Sequence, residues 1–329
     1  MEKIKNYIAS KREVWIFIPV YFVLALIQVK TKLFLTTTWL DGTLIRNHNM
    51  LLGFIYTNNE QSRVLQYYIP EFFRNLFSLS VPDAYILQRL VFVTLAFILF
   101  HFFLRKWFLP PASFAGVLFL AAVMPLSYIN YLQESSSLLL VTFLLGLWAI
   151  RENKDIWLAA VLLIGGLNNE TMLILPAGYF FYRCREVSFK GVSMLLMRTL
   201  IISLPALLAM GFIRYLTRAN AHLGGALHLY KNLYGIKEQI VLVLLNPLHF
   251  YKYIYFFIFL IFGFFWVYAF MRYKEKPLFL RRVGLIIPLF IIIHMLTGVI
   301  FEVRQMLPLS FLIIPMAFFY IFPSKEGIN

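Results

Sequence analysis

The stretch AYILQRLVFVTLAFILFHFFL, residues 84–104, decides the fold class because Arg89 is its one charged side chain. A helix of about 20 apolar residues crosses a hydrocarbon core of about 30 Å. Similar apolar runs recur along the 329-residue chain, which is 61% hydrophobic, 18% aromatic and 14% charged, with a mean hydropathy of +0.77. Soluble domains carry about 25% charged residues. The composition excludes a soluble enzyme, a nucleic-acid-binding module and a disordered scaffold, and predicts an all-α polytopic membrane protein.

The hydropathy pattern predicts about ten membrane-spanning helices in a single transmembrane domain that covers residues 1–329. Two of the apolar runs have only about 14 residues, which is too short to cross a full bilayer. We expect both to be buried among the other helices or to be re-entrant. The ten predicted spans are 14–33, 84–104, 113–131, 135–150, 156–169, 170–183, 192–213, 251–271, 283–300 and 305–323.

The charge distribution predicts the orientation in the membrane. Lys and Arg number 30 against 15 Asp and Glu, and in a membrane protein such an excess first indicates cytoplasmic loops. With a cytoplasmic N-terminus, 17 basic residues fall in short inside segments and 11 in longer outside segments, which predicts that both termini are cytoplasmic. Two extracytoplasmic loops are long, 34–83 and 214–250, and their aromatic and basic residues predict interfacial segments. The alternative is that part of either loop is a further span.

Several chemistries lack their sequence signatures. Cys184 is the single cysteine, which excludes an internal disulfide and a cysteine-rich metal site. The six histidines show no close zinc-ligand spacing, and His294 inside a predicted span is more typical of a packed or hydrogen-bonded side chain. The chain contains no Walker A, GxGxxG, HExxH or GxSxG pattern. An ATP-driven pump, a dinucleotide-binding enzyme and a zinc protease of the usual type are therefore unsupported.

Three acids fall in tight turns between consecutive apolar runs, all on the predicted outside face: Glu134, Glu170 and Glu302. An ionisable group at a membrane boundary is costly if it faces lipid and tolerable if it faces a polar cavity or a partner. The three carboxylates therefore predict a polar cavity that opens to the outside. The alternative for each is a solvated loop residue.

Two of these turns have informative neighbours. Glu170 lies in GGLNNETMLILP (165–176), where the glycine pair permits a close backbone approach or a helix break. Glu302 and Arg304 are two residues apart, so on a continuous helix they point to different faces. In a turn or a broken helix both could line one cavity. The alternative for Arg304 is that it anchors a lipid headgroup or pairs with Glu302.

Asp41 follows the first span closely, in LTTTWLDGTLIRNHN (35–49). A carboxylate beside the mouth of the bundle could take a proton from a hydroxyl or bind a divalent metal. The alternative is a turn residue before Gly42. Arg63 and Arg304 are candidates for binding a lipid phosphate, because the planar guanidinium binds phosphate through two donors.

Four short motifs follow one another along the chain: WLDG (39–42), RVL (63–65), NNETMLILP (168–176) and EVRQMLP (302–308). Together they resemble the GT-C superfamily of integral-membrane glycosyltransferases. In that superfamily an acidic residue follows the first span, an Arg-hydrophobic-Leu stretch comes later in the same loop, an Asn-x-Glu-Thr element joins two short spans, and a Glu-x-Arg precedes a late Leu-Pro. The resemblance spans the chain in order.

The resemblance implies a helical bundle in a bacterial inner (plasma) membrane, and hexosyl or pentosyl transfer from a polyprenyl-phosphate sugar to an extracytoplasmic glycan or lipid-linked acceptor. It implies that Asp41 deprotonates the acceptor hydroxyl, with inversion at the anomeric carbon. A divalent metal, Mg²⁺ or Mn²⁺, is the cofactor that such an acid would bind. The implied substrate-binding residues, which would bind phosphate or sugar or hold the arginines, are Arg63, Glu134, Asn169, Glu170, Glu302 and Arg304.

Two other classes remain open. A flippase or transporter of lipid-linked glycans would also place carboxylates and arginines in a bundle, but it needs ionisable residues near mid-membrane and access from both sides. Here the acids collect at one boundary, which favours a one-sided site. A non-catalytic membrane subunit of a glycan-assembly complex is the second alternative, and it predicts normal folding and assembly after loss of Asp41 and Glu170.

Overall fold

The structure is a computed structural model that describes residues 2–36, 41–55, 59–128, 135–184, 188–217, 228–247, 261–298 and 302–322. Every regular element in these residues is helical. Short 3₁₀ helices cover Asn59–Ser62, Met124–Ser127, Glu170–Ile174, Tyr273–Glu275 and Val303–Leu309. The α-helices, numbered in chain order, are α1 (Glu2–Leu35), α2 (Thr43–Leu52), α3 (Leu65–Phe77), α4 (Val81–Leu104), α5 (Pro110–Val123), α6 (Ser135–Arg151), α7 (Asp155–Asn168), α8 (Leu175–Arg183), α9 (Phe189–Thr217), α10 (Leu229–Leu245), α11 (Phe265–Phe270), α12 (Leu278–Val283), α13 (Ile286–Thr297) and α14 (Ser310–Ile321).

The described residues contain six helical segments that are long and apolar enough to cross a membrane, by length and composition. Two shorter apolar helices, α6 and α7, lie between them in the chain. The all-α prediction is confirmed, the apolar helices indicate a membrane protein, and the count of ten spans stays a prediction. The six segments are Trp15–Leu35, Val81–Leu104, Pro110–Ser127, Phe189–Thr217, Leu278–Thr297 and Val303–Ile321.

The outer helices present apolar side chains on the surface. On α9, Met197, Leu200 and Leu208 are each more than 60% exposed. In water such a face would drive aggregation, whereas acyl chains solvate it without cost. The exposed apolar face of α9 thus agrees with a lipid environment.

Aromatic side chains fill the centre of the bundle around α4. Phe97, Phe100 and Phe103 are fully buried. Phe100 packs edge-on against Phe311 of α14, with ring centroids 5.0 Å apart, and Phe103 packs edge-on against Trp107 at 5.1 Å. Edge-to-face pairs are favourable because the positive ring edge meets the negative ring face. The first contact joins α4 to α14, and the second packs the segment after α4 against α4 itself.

A polar cluster fastens α1 to the end of α4. Tyr21 Oη lies 2.6 Å from His101 Nδ1, and His101 Nε2 lies 2.7 Å from a carboxylate oxygen of Glu13. Arg105 donates to the same carboxylate from Nε and Nη2 at 2.6 and 3.2 Å. Because nearly every polar atom of the cluster meets a partner, its burial among apolar helices is tolerated.

A second polar cluster fastens the helices of the first predicted outer loop, 34–83, to the start of α4. His48 on α2 bonds through Nδ1 to Tyr85 Oη at 3.1 Å and through Nε2 to Glu71 Oε2 at 3.0 Å. Arg74 donates to Glu71 at 3.1 Å. The described part of this loop is therefore largely helical and packed against the bundle.

The glycine pair at the end of α7 allows two close approaches. A Cβ on Gly165 would lie 2.6 Å from Met172 Cε and 2.7 Å from its Cγ. A Cβ on Gly166 would lie 2.9 Å from Met210 Sδ on α9. The chain can therefore fold back after α7 and pack the 3₁₀ helix Glu170–Ile174 directly on it.

We expect Gly165→Ala to lower the free energy of unfolding by about 1–3 kcal/mol, because the added methyl displaces Met172 from a filled core. The matched control is Gly211→Ala on α9, where nothing lies within 4 Å of the new Cβ. There we expect no loss, or a gain of up to about 1 kcal/mol, because alanine favours a helix over glycine. Thermal unfolding in detergent measures both, and equal effects would contradict the close packing.

The His48 cluster predicts a pH effect. Burial lowers the pKa of His48, and the neighbouring Glu71 carboxylate opposes this shift only in part. The unfolded chain therefore binds the proton more readily, so His48 contributes stability above pH 6.5 or so that is lost as the pH falls. We expect the melting temperature of the wild type to fall further between about pH 7.5 and pH 5 than that of His48→Gln. A larger fall in His48→Gln would contradict this assignment.

Candidate functional site

A polar cavity of about 210 Å³ lies at the end of α7, beside the start of α6 and the end of α13. The predicted gathering of acids and arginines from distant turns is present, because five of the seven predicted site residues line it: Arg63, Asn169, Glu170, Glu302 and Arg304. The other lining residues are Ser136, Leu139, Thr171, His228, His294, Thr297, Gly298 and Gln305.

Arg63 and Glu170 form a bidentate ion pair on one wall of the cavity. Arg63 Nε donates to Glu170 Oε2 at 3.1 Å, and Arg63 Nη2 donates to Oε1 at 2.8 Å. The two residues are 107 positions apart in the chain. Two parallel bonds between a planar guanidinium and a carboxylate hold both side chains in one orientation. The pair therefore ties the segment before α3 to the turn after α7.

The same pair sets the ionisation of Glu170, which lies outside the six candidate spans. Burial alone would raise the pKa of Glu170, but the charge and hydrogen bonds of Arg63 outweigh it and lower the pKa to about 2. A carboxyl with so low a pKa is ionised at neutral pH and accepts a proton poorly. Glu170 is therefore suited to holding charge and hydrogen bonds, and poorly suited to acting as a base.

Asn169 shapes the turn that presents Glu170. Its backbone N–H donates to Gly165 O at 2.7 Å and so closes the last turn of α7. Its side-chain Oδ1 accepts from the Thr171 N–H at 3.0 Å, which caps the 3₁₀ helix that begins at Glu170. Asparagine suits this position because its short side chain replaces a missing backbone acceptor.

Glu302, Arg304 and Gln305 form a second polar group in the wall of the cavity. Glu302 accepts hydrogen bonds from Arg304 Nη2 and, at 3.1 Å, from Gln305 Nε2. The 3₁₀ helix Val303–Leu309 begins directly after Glu302, so the broken-helix arrangement holds, and so does the alternative that Arg304 pairs with Glu302. In the described part of the chain, the buried Arg304 Nε and Gln305 Oε1 meet no hydrogen-bond partner. Neither atom is exposed to solvent, so a ligand would reach either one only after its side chain shifts.

His294 lines the cavity, although the sequence analysis did not select it. Its ring stacks on Phe290, with centroids 4.2 Å apart, and its Nδ1 lies 2.9 Å from Phe290 O. Because a carbonyl only accepts, Nδ1 carries the hydrogen, and Nε2 of the neutral ring is left as the acceptor. The spacing of His294 and Thr297, three apart on one helix face just before the Glu302 turn, could have indicated it.

His228 is the second histidine that lines the cavity. It directly precedes α10, and its backbone N–H donates to Leu296 O at 2.9 Å. This bond fastens the start of α10 to the end of α13. Local sequence offers little signal for His228, because its place in the cavity depends on how these two helices pack.

Of the two remaining predicted residues, only Asp41 lies in the described part of the chain, and it is not brought to the cavity. Asp41 is not among its lining residues; it is exposed, and its Oδ1 accepts from the Thr43 N–H at 2.9 Å. That backbone hydrogen bond lowers the pKa of Asp41. The hydrogen bond from the Thr43 N–H and the left-handed backbone of Gly42 (φ 85°) are typical of a turn, so Asp41 is a turn residue. The catalytic role of Asp41 stays a prediction, and Glu134 lies outside the described residues.

Within the described ranges, no three His, Cys, Asp or Glu side chains are grouped so that they could hold a metal ion. The two cavity carboxylates face arginines instead. Mg²⁺ or Mn²⁺ as a cofactor stays a prediction.

A double-mutant cycle tests the Arg63–Glu170 pair. Each single change, Arg63→Gln or Glu170→Gln, leaves one half-buried charge without its partner, so we expect the double variant to lose less stability than the sum of the singles. We expect a coupling of about 1–3 kcal/mol. The matched control is Arg272–Glu275, whose side chains are 67% and 69% exposed and 3.8 Å apart; we expect about 0–0.5 kcal/mol there. Thermal unfolding reports both, and equal couplings would count against a structural pair.

The five predicted residues that line the cavity come from three separated parts of the chain: the segment before α3, the turn between α7 and α8, and the segment between α13 and α14. Comparison of the chain with protein-family models, with curated proteins and with solved structures gives no match.

Proposed function

We propose that this chain is a membrane glycosyltransferase that moves one sugar from a polyprenyl-phosphate donor to an extracytoplasmic acceptor such as a lipid-linked glycan. The observation that carries the proposal is the position of Arg304 in the wall of the cavity. Its side chain is only 11% exposed in a polar cavity, and its buried Nε meets no acceptor in the described part of the chain. The guanidinium of Arg304 lines the cavity and has five N–H donors, and those that Glu302 does not use suit the oxygens of a phosphate.

The two arginines have different roles in this proposal. Arg63 already uses Nε and Nη2 on Glu170, so it mainly holds that carboxylate in place. Arg304 uses Nη2 on Glu302 and lines the cavity, where the other donors of its guanidinium are directed to a ligand in this proposal. Arg304 is therefore the phosphate-binding residue, and its charge stabilises the phosphate that leaves when the sugar is transferred.

The cavity suits the polar head of a lipid-linked sugar. Its volume of about 210 Å³ lies below the roughly 300–1,000 Å³ of pockets that enclose a drug-sized ligand. The two carboxylates, Gln305 and Thr171 offer acceptors and donors for sugar hydroxyls. A polyprenyl chain is too large and too apolar for this cavity. It would lie in the surrounding bilayer instead.

His294 is the base that this geometry favours. In the transfer, the acceptor oxygen forms a bond to the anomeric carbon while the bond from that carbon to the phosphate oxygen breaks. His294 Nε2 takes the proton of the acceptor hydroxyl, and the phosphate leaves with the electron pair. The Nδ1 hydrogen bond to Phe290 O keeps the ring in the tautomer that this step needs. Asp41, the base that the family resemblance implies, is not a lining residue of the cavity.

The proposed orientation places the cavity on the extracytoplasmic side of a bacterial inner membrane, with ten spans and both termini in the cytoplasm. The positions of Lys106, Arg151 and Lys154 support it, because all three lie at the ends of α4, α6 and α7 that are remote from the cavity. Basic residues concentrate on the cytoplasmic side of membrane proteins. Labelling of Cys184 after α8 by a membrane-impermeant thiol reagent from the inside only would support this orientation.

The first test measures release of polyprenyl phosphate from a panel of labelled polyprenyl-phosphate sugars by protein in nanodiscs, with lipid-linked glycan acceptors present. We expect Arg304→Gln to lower turnover by about 10²-fold, since it removes charge stabilisation of the leaving group. Arg272→Gln removes the same charge from an exposed position and is expected to leave turnover unchanged. If the wild type releases no phosphate from any donor, the transferase proposal fails and the flippase or the non-catalytic subunit takes its place.

The second test identifies the base. We expect His294→Gln to lower turnover by about 10²–10⁴-fold and to remove the fall in rate toward acid pH that a histidine base imposes. Asp41→Asn, measured alongside it, separates the two candidates. Loss of turnover in Asp41→Asn with an unchanged pH profile in His294→Gln would assign the base to Asp41.

A further inference from the structure

A second concave region lies at the end of the α6–α7 hairpin that is remote from the cavity. α6 begins beside the cavity at Ser136 and ends at Arg151, and α7 starts at Asp155 and returns to the cavity. A pocket of about 440 Å³ lies at this remote end. Its lining residues are Lys106, Trp107, Arg151, Glu152, Tyr182, Pro277 and Phe279.

This pocket carries a positive charge in excess. Glu152 accepts a bond from Lys106 Nζ at 3.2 Å and another from Arg151 Nη1 at 2.9 Å, so two cations share one carboxylate. The Arg151 guanidinium also lies over the Trp107 ring at 5.0 Å, and Lys106 Nζ lies over the Trp148 ring at 5.2 Å. These contacts hold both cations at the pocket and leave donors for an anion.

An apolar groove of about 430 Å³ adjoins the pocket through Glu152, which lines both. The groove runs between α4, α6 and α7, and its polar lining side chains are Glu152 and Lys154, together with the indole groups of two tryptophans. Its remaining lining residues are Leu99, Leu145, Ala149, Ala160, Val161 and Ile164. The polar end of the groove and the charged pocket thus meet at Glu152.

We propose that the charged pocket and the apolar groove together bind one anionic glycerophospholipid. Lys106 and Arg151 bind its phosphodiester, and one acyl chain lies in the groove beside Ala160 and Ile164. Two features select this occupant: the excess of cations over carboxylates at the pocket, and an apolar groove on helices that are themselves apolar enough for a membrane. The site is remote from the Arg304 cavity and does not depend on the proposed transferase activity.

Native mass spectrometry of the delipidated full-length protein tests the proposal, with phosphatidylglycerol and phosphatidylcholine titrated separately. We expect the wild type to bind phosphatidylglycerol more tightly. Lys106→Gln is expected to weaken phosphatidylglycerol binding by about five-fold, the effect of one basic residue near an anionic headgroup, and to weaken phosphatidylcholine binding less, because the choline cation offsets the charge of its phosphodiester. Lys231→Gln, an exposed position on α10 near the cavity end, is the matched control and is expected to change neither affinity.

A second variant tests the groove. Ala160 is exposed in the groove wall, so Ala160→Phe fills the groove without entering the core. We expect it to weaken binding of both lipids, while thermal unfolding stays that of the wild type. Equal affinity of the wild type for the two lipids, or a preference for phosphatidylglycerol that survives Lys106→Gln, would overturn the proposal.

Discussion

The bidentate ion pair between Arg63 and Glu170 is the interaction on which the site depends. A charged side chain among apolar helices is tolerated only when a partner compensates it, so neither residue could be buried here without the other. The pair joins the segment before α3 to the turn after α7, across 107 positions. It also keeps Glu170 ionised, which leaves the chemistry of proton transfer to other side chains of the cavity.

Helix breaks make room for this cavity. Regular helices satisfy their own backbone, so a bundle of uninterrupted helices would leave few polar groups inside. Here Asn169 ends α7 and caps a 3₁₀ helix, Gly165 lets that helix pack back onto α7, and a second 3₁₀ helix follows Glu302. Each break places polar side chains of a helix end in the wall of the cavity. The segment before α3, the turn after α7 and the segment after α13 meet at this cavity.

The α6–α7 hairpin separates two kinds of charged environment. At the cavity, each carboxylate faces an arginine, and the buried Arg304 Nε meets no acceptor within the described part of the chain. At the other end, Lys106 and Arg151 share Glu152 and lie over tryptophan rings. The first arrangement suits a phosphorylated head group with sugar hydroxyls, and the second suits a lipid phosphate beside an acyl chain.

The sequence by itself determined the helical class and the polar turns. Apolar run length is a local property, because each helix satisfies its backbone within its own residues. The glycine pair before Asn169 predicted a close backbone approach or a helix break; α7 continues through both glycines, and the close approach is what they allow. Only the tertiary structure decided that Arg63 pairs with Glu170, that His294 lines the cavity and that Asp41 does not. Those outcomes depend on how helices from distant parts of the chain pack and on the rotamers that this packing allows, and neither is encoded within a few neighbouring residues.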